Sequence, residues 1–301
     1  MLDHNQEKAI KSYSGPLLVI AGPGTGKTTV IVEKIKYLIK KGLAKPEEIL
    51  ALTFTEKAAF EMEERVDKML PFGYFQMWIS TFHAFAEQIL KEEIQQIGLD
   101  PGFRLMTEAE AILFLRKNLF LFNLKYFRPL GNPNKFLAAL LQHFSRLQDE
   151  DISPKEYLQW AKLELKNSRF AVKKEGEKYL ELAQAYKKYL DLKIKEGVMD
   201  FSDLVYYLNQ LFRQRPNLCQ KYQKQFKYVL IDEFQDTNIS QYQLIKLLKP
   251  AKDKPNLTVV GDDSQSIYKF RGASISNILN FMKDYPPVSY THLTLPTIYS
   301  V

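Results

Sequence analysis

The chain has 301 residues, 46% of them hydrophobic, and carries a formal net charge of +7. Its length and apolar content support a folded protein of one or two domains, and the basic balance favours a polyanionic partner without separating DNA, RNA and lipid headgroups. A single cysteine, Cys219, excludes an intramolecular disulfide and a cysteine-based zinc cluster. With a polar Met1–Gln6 start and no apolar run of about 18 residues, the expected setting is the cytoplasm, with no membrane span.

Short apolar runs recur along the chain, separated by stretches of helical spacing. The run Leu17–Ala21 gives way to a helical pattern over Lys27–Lys40, Ile49–Thr53 to one over Glu56–Met69, and then comes Met77–Ser80. Runs that are apolar throughout, with no alternation, predict buried strands of a parallel sheet joined by crossover helices. From Phe85 to Asp200 the strand signal is lost. Thr107-Glu108-Ala109-Glu110 reads there as a capping box, and Tyr179, Leu182, Ala183, Tyr186, Tyr189 and Leu190 repeat at three- and four-residue spacing along one long helix. That spacing puts the tyrosines on one face, which favours core packing over base stacking. Between Lys162 and Lys195 ten Lys and Arg stand against five Asp and Glu, a surface able to track phosphates or simply to be solvated.

Strands return at Tyr228–Ile231 and Leu257–Gly261, with a helix over Ser240–Leu248 between them. The predicted fold class is therefore α/β: a parallel sheet built from residues 1–85 and 200–285, with an all-helical domain, 86–199, inserted between them. Residues 286–301 are unassigned. After Pro286 and Pro287 the composition changes abruptly and no helical or strand period is recognised.

Two segments carry chemistry. Ala21-Gly22-Pro23-Gly24-Thr25-Gly26-Lys27-Thr28 follows a strand and opens a helix, the context that a phosphate-binding loop requires. Glycines let successive backbone N–H groups turn toward the phosphates of ATP, Lys27 reaches the β and γ phosphates, and the Thr28 hydroxyl ligates Mg²⁺. Thr29 completes the expected nucleotide-binding set, and Ala21 stands where the usual pattern has glycine. Far downstream, Tyr228-Val229-Leu230-Ile231-Asp232-Glu233 ends a buried strand in two carboxylates: Asp232 is expected to hold Mg²⁺ through water and Glu233 to act as general base.

Further along, Asp232-Glu233-Phe234-Gln235-Asp236-Thr237-Asn238 and Val260-Gly261-Asp262-Asp263-Ser264-Gln265-Ser266-Ile267-Tyr268-Lys269-Phe270-Arg271-Gly272-Ala273 resemble the second and third motifs of superfamily 1A DNA helicases of the UvrD, PcrA and Rep type. Leu2-Asp3-His4-Asn5-Gln6 is similar to that family's glutamine motif. Leu52-Thr53-Phe54-Thr55-Glu56-Lys57-Ala58-Ala59 and Ser80-Thr81-Phe82-His83-Ala84-Phe85 resemble its DNA-contacting motifs, and Asp200-Phe201-Ser202-Asp203-Leu204 the return from its helical insertion. The resemblance implies a RecA-like P-loop NTPase lobe. It also implies that Gln6 reads adenine and that Gln265 senses the γ-phosphate alongside Lys27, Asp232 and Glu233. Thr53, Thr81 and His83 would bond DNA phosphates, and Phe54, Tyr268 and Phe270 would offer faces to unstacked bases.

The implied function is that of an ATP-dependent 3′-5′ DNA helicase acting in repair or replication on single-stranded DNA and single-strand/duplex junctions. The alternatives are the ATPase part of an AddA/RecB-like helicase-nuclease and a nucleotide-gated single-strand-binding module without unwinding. Such motors close two RecA-like lobes on ATP, the second supplying arginines to the γ-phosphate. No Asn-Tyr-Arg-Ser-like segment follows Pro287. The expectation is that the second lobe required for activity lies outside this sequence, that this portion alone turns over ATP weakly or not at all, and that the coding sequence departs near Pro287 through truncation, frameshift or a joined foreign segment.

Overall fold

The continuous apolar runs become strands of one sheet. In chain order the first part of the molecule contributes α1 (His4–Lys11), β1 (Leu17–Ala21), α2 (Lys27–Lys40), β2 (Ile49–Thr53), α3 (Glu56–Asp67), β3 (Trp78–Thr81) and α4 (Phe82–Glu93). The middle part holds β4 (Arg104–Leu105), α5 (Glu108–Lys117), α6 (Leu137–Asp149), α7 (Pro154–Asn167), α8 (Lys173–Glu196), β5 (Val198–Met199) and α9 (Phe201–Gln214). Then come α10 (Pro216–Gln225), β6 (Tyr228–Ile231), α11 (Ile239–Leu248), β7 (Leu257–Gly261), α12 (Ile275–Asp284) and β8 (Ser289–Leu293). This computed structural model describes residues 2–68, 77–167, 173–262 and 275–293.

The six-stranded sheet has the order β3-β2-β6-β7-β1-β8, with every neighbouring pair parallel. Every residue of β1, β2, β6 and β7 is buried, as expected of strands covered on both faces. Side chains such as Leu18, Val19, Leu50, Leu52, Val229 and Val260 are fully enclosed, each contributing about 1.5–3 kcal/mol relative to exposure. Only the edges alternate. β8 buries Thr291 and Leu293 while Ser289, Tyr290 and His292 face outward.

This strand corrects the reading of the tail as lacking a strand period. Its pairing rests on backbone hydrogen bonds to β1, beginning with Ser289 N–H to the Pro16 carbonyl at 3.0 Å, and an edge position asks for only two apolar side chains. A second correction lies in the middle of the chain, where β4 and β5 form a two-stranded parallel ladder inside the stretch read as all helix. Two residues are too few to show a period of two.

By packing, the chain divides into residues 1–88 with 209–301, which hold the large sheet, and residues 89–208. The second unit begins and ends later than the predicted 86–199. Its late end has a physical cause: Asp203, inside α9, accepts from Lys193 Nζ and from Gln148 Nε2, both at 2.7 Å, which ties the start of α9 to α6 and α8. In α8 Tyr186 and Tyr189 are fully enclosed, with Tyr189 stacked on Phe144 at 5.3 Å, so this part of the tyrosine stripe is core. Gly176 lets α7 approach α8, since a Cβ there would lie 2.9 Å from Leu165 Cα. The capping box read at Thr107 and Glu110 opens α5.

Candidate functional site

The phosphate loop sits at the C-terminal end of β1, where the strand delivers it to the N-terminus of α2. Ala21 is the last residue of β1 and is buried, so it enters the site as strand and not as loop. Gly24 and Gly26 have φ of +74° and +86°, the left-handed region that glycine tolerates without strain. Thr25 closes the turn by donating its hydroxyl to the Gly22 carbonyl at 2.8 Å.

Helices α1, α3, α5 and α11 each begin with a side-chain cap, from Asp3, Thr55, Thr107 and Asn238, but α2 begins at Gly26 with none. The first backbone N–H groups of α2 thus have no side-chain acceptor, and the positive end of the helix macrodipole points into the loop, an arrangement that suits phosphate.

Gln6 reaches the same loop from α1. Its Nε2 donates to the Thr25 carbonyl at 2.9 Å, and its Oε1 accepts from Asp3 N–H at 2.9 Å in a capping box. A Cβ on Gly26 would come within 2.9 Å of Gln6 Nε2 and displace that amide from the Thr25 carbonyl, while the φ of +86° is what asks for glycine. Helix α1 is held by Lys34 of α2, a buried lysine that donates to the Ala9 carbonyl at 2.8 Å and to the Ser12 carbonyl.

Across the sheet, β6 ends in the acidic pair. The Thr28 hydroxyl donates to Asp232 Oδ2 at 2.8 Å, and Lys27 Nζ lies 2.9 Å from Glu233 Oε2. Folding therefore joins two segments more than 200 residues apart into one cluster, with Thr28–Asp232 separated by 204 positions. Asp232 is buried, and desolvation pushes its carboxyl up to about 6, opposed by the Thr28 hydrogen bond and reinforced by the Glu233 charge. Glu233 adopts φ +49° and ψ +46°, left-handed for a residue with a Cβ, at a cost of about 1–2 kcal/mol.

The Thr28 hydroxyl and Asp232 carboxylate form an oxygen donor set that suits Mg²⁺ when the ion brings phosphate and water ligands of its own. Among the described residues no cluster of three or more His, Cys, Asp or Glu could enclose a metal unaided.

The DNA-contact candidates meet at the ends of β2 and β3. Thr53 is register partner to Thr81. Thr53 is fully buried and its hydroxyl has no hydrogen-bond partner among the described residues, while Phe54 is half-buried. The Thr81 hydroxyl donates to Glu56 Oε1 at 2.7 Å and accepts from Ala84 N–H at 3.1 Å, so its proton is engaged by a carboxylate of the protein. Burial lowers the His83 pKa from its ordinary value and the Glu56 charge opposes that shift. Gln265, Tyr268 and Phe270 lie outside the described residues.

Two further motif residues take part in these sites. Glu56 engages Thr81, and Gln235 contacts Glu233 at 2.6 Å. An amide two positions after a strand-end carboxylate pair is a usable signal for the second. The first is visible only once β2 and β3 are paired.

A glycine-rich loop between strand and helix, faced by a strand-end carboxylate pair at the same edge of a parallel sheet, defines a P-loop nucleotide-binding lobe. Comparison with known proteins narrows the class. The model of the UvrD/REP helicase N-terminal domain matches residues 2–286, and the chain belongs to that family. It is 38% identical over 286 residues to the ATP-dependent DNA helicase PcrA of Bacillus subtilis, covering 94% of this chain and 36% of that protein. The PcrA of Staphylococcus aureus is 36% identical over 294 residues, with 95% and 37% covered, and that of Leuconostoc citreum 38% identical over 289 residues, with 95% and 35% covered. The chain thus spans little more than a third of the length of these relatives.

Proposed function

We propose that this chain is the N-terminal ATP- and DNA-binding lobe of an ATP-dependent 3′-5′ DNA helicase. The observation that carries the reading is the meeting of Lys27 and Thr28 with Glu233 and Asp232 at 2.9 and 2.8 Å. In the proposed cycle ATP draws Lys27 from Glu233 to its phosphates; Thr28 and Asp232 would hold Mg²⁺, which when bound would supply positive charge against the phosphates. Glu233, released from its cation, orients the attacking water and accepts its proton. At the ends of β2 and β3 the half-buried Phe54 and His83 are the proposed DNA contacts, and Thr53 and Thr81, both buried, would reach a DNA phosphate only if the Glu56 carboxylate and the strand ends move aside. Single-stranded DNA and its junction with duplex are the substrates, and a second RecA-like lobe supplies the arginines that complete the γ-phosphate site.

Steady-state Mg²⁺-ATP turnover, with and without a single-stranded oligonucleotide and with Lys27→Ala as the blank, tests the reading together with nucleotide binding. Binding of Mg²⁺-ATP that Lys27→Ala abolishes supports the site. Turnover stimulated by DNA in this chain alone would remove the need for a second lobe, and absence of nucleotide binding would sink the proposal.

A further inference from the structure

One buried side chain of the sheet unit reaches two strands at once. Gln235 lies in the single turn Phe234–Asp236 after β6 and is 1% exposed. Its Nε2 donates to Glu233 Oε2 at 2.6 Å and has a longer contact of 3.5 Å with Asp236 Oδ2; its Oε1 accepts from Asp262 N–H at 2.9 Å, just past β7. The chemistry of the neighbours sets the orientation of this amide. A backbone N–H can only donate and a carboxylate only accept, so one placement of the oxygen and nitrogen satisfies both. Glutamate would lose the donor, and an apolar residue would leave the buried Asp262 N–H without its acceptor. Gly261 keeps the approach open, since a Cβ there would lie 3.1 Å from Gln235 Oε1 and 3.3 Å from its backbone nitrogen.

Glu233 needs such a hold. Its backbone is in the left-handed region, and its Oε2 is shared by Lys27 Nζ at 2.9 Å and Gln235 Nε2. When a phosphate takes Lys27, the Gln235 amide remains as a donor to that carboxylate and leaves Oε1 available to a water.

We infer that Gln235 is a positioning residue. It holds the Glu233 carboxylate after Lys27 has moved to nucleotide, and it passes the resulting shift of Glu233 to the C-terminal end of β7 through the Asp262 amide. The inference rests on the proposed ATP site and adds to it a path from the base at the end of β6 to the neighbouring strand.

The test uses the 301-residue chain with Mg²⁺ and a non-hydrolysable ATP analogue, reading affinity by titration and, separately, amide hydrogen exchange at Asp262. In the wild type, saturating nucleotide is expected to change exchange at Asp262 by about tenfold or more. Gln235→Glu retains an acceptor for Asp262 N–H but sets a like charge against Glu233. It is expected to lose the nucleotide-linked change in exchange, read at nucleotide concentrations that saturate the variant by its own titration. Glu233→Ala, which leaves the Gln235–Asp262 bond in place, is expected to lose it as well and guards against misfolding of the first variant. A nucleotide-linked change that persists in Gln235→Glu, or is absent from wild type despite binding, overturns the relay and leaves the ATP site standing. Failure of the wild type to bind nucleotide overturns the ATP site and the relay together.

Discussion

Lys193 in the helical unit and Lys27 in the sheet unit each sit close to carboxylates, yet their surroundings differ. Lys193 is enclosed with Asp200 and Asp203 at 2.7 Å each, and the two carboxylates take further hydrogen bonds from Tyr189, Gln148 and the Asp200 and Asp203 backbone N–H groups. Lys27 has Glu233 at 2.9 Å, and that carboxylate is about a third exposed beside a loop whose Pro23 and Gly24 face solvent. A buried network whose lysine and carboxylates are paired with one another has little to gain from a ligand and holds helices in place. A pair at the mouth of an uncapped helix can trade partners at low cost when a polyphosphate arrives. Lys34 is a third case, buried with carbonyl partners only, and desolvation lowers its pKa to about 7.

The contrast is best broken at Lys193. Replacing it by Met strands two buried carboxylates and is expected to lower unfolding free energy by about 3–5 kcal/mol in urea titrations. An unchanged midpoint would show that the network is not structural. Lys27→Ala should have the opposite profile: Mg²⁺-ATP affinity at least about tenfold lower in equilibrium titration, with unfolding free energy altered by less than about 1 kcal/mol. A large stability loss there would erase the distinction between the two lysines.

Lys34 sharpens the comparison through pH. Its folded pKa, about 7, is below the 10.5 of the unfolded chain, so between these values the unfolded state holds a proton that the folded state has released. Stability contributed at this position therefore rises with pH across that window. The advantage of wild type over Lys34→Met should grow from about pH 7 to about pH 9, by up to ~1.4 kcal/mol per pH unit; a gap independent of pH would contradict the buried, deprotonating lysine. A small stability effect is expected from Gln6→Ala, which removes half of the α1 capping box at a cost of about 0.5–1 kcal/mol. If Gln6 also reads adenine, competition binding will show a weakened preference for ATP over GTP.

The tail and the threonines at the ends of β2 and β3 mark where linear reading ran out. Ser289–Leu293 has too little apolar alternation to announce a strand, and it becomes one because β1 offers a row of backbone partners. Thr53 and Thr81 look alike as hydroxyl candidates in two motifs, but the pairing of β2 with β3 buries both, leaving the first without a partner among the described residues and giving the second to Glu56. Neither fact is local to its own segment.

By itself the sequence determined what depends on neighbours along the chain: the buried strands, since their residues are apolar throughout; the phosphate loop, since glycine spacing and a following helix suffice; and the caps at Thr107 and Asp232's place at a strand end. Tertiary structure alone decided what depends on distant partners. It set Thr28 against Asp232 and Lys27 against Glu233, buried Lys193 with Asp200 and Asp203, and ran the Gln235 amide from Glu233 to Asp262. The reason is geometric: hydrogen bonds and ion pairs act over about 3 Å, and which groups come that close is set by strand order and register.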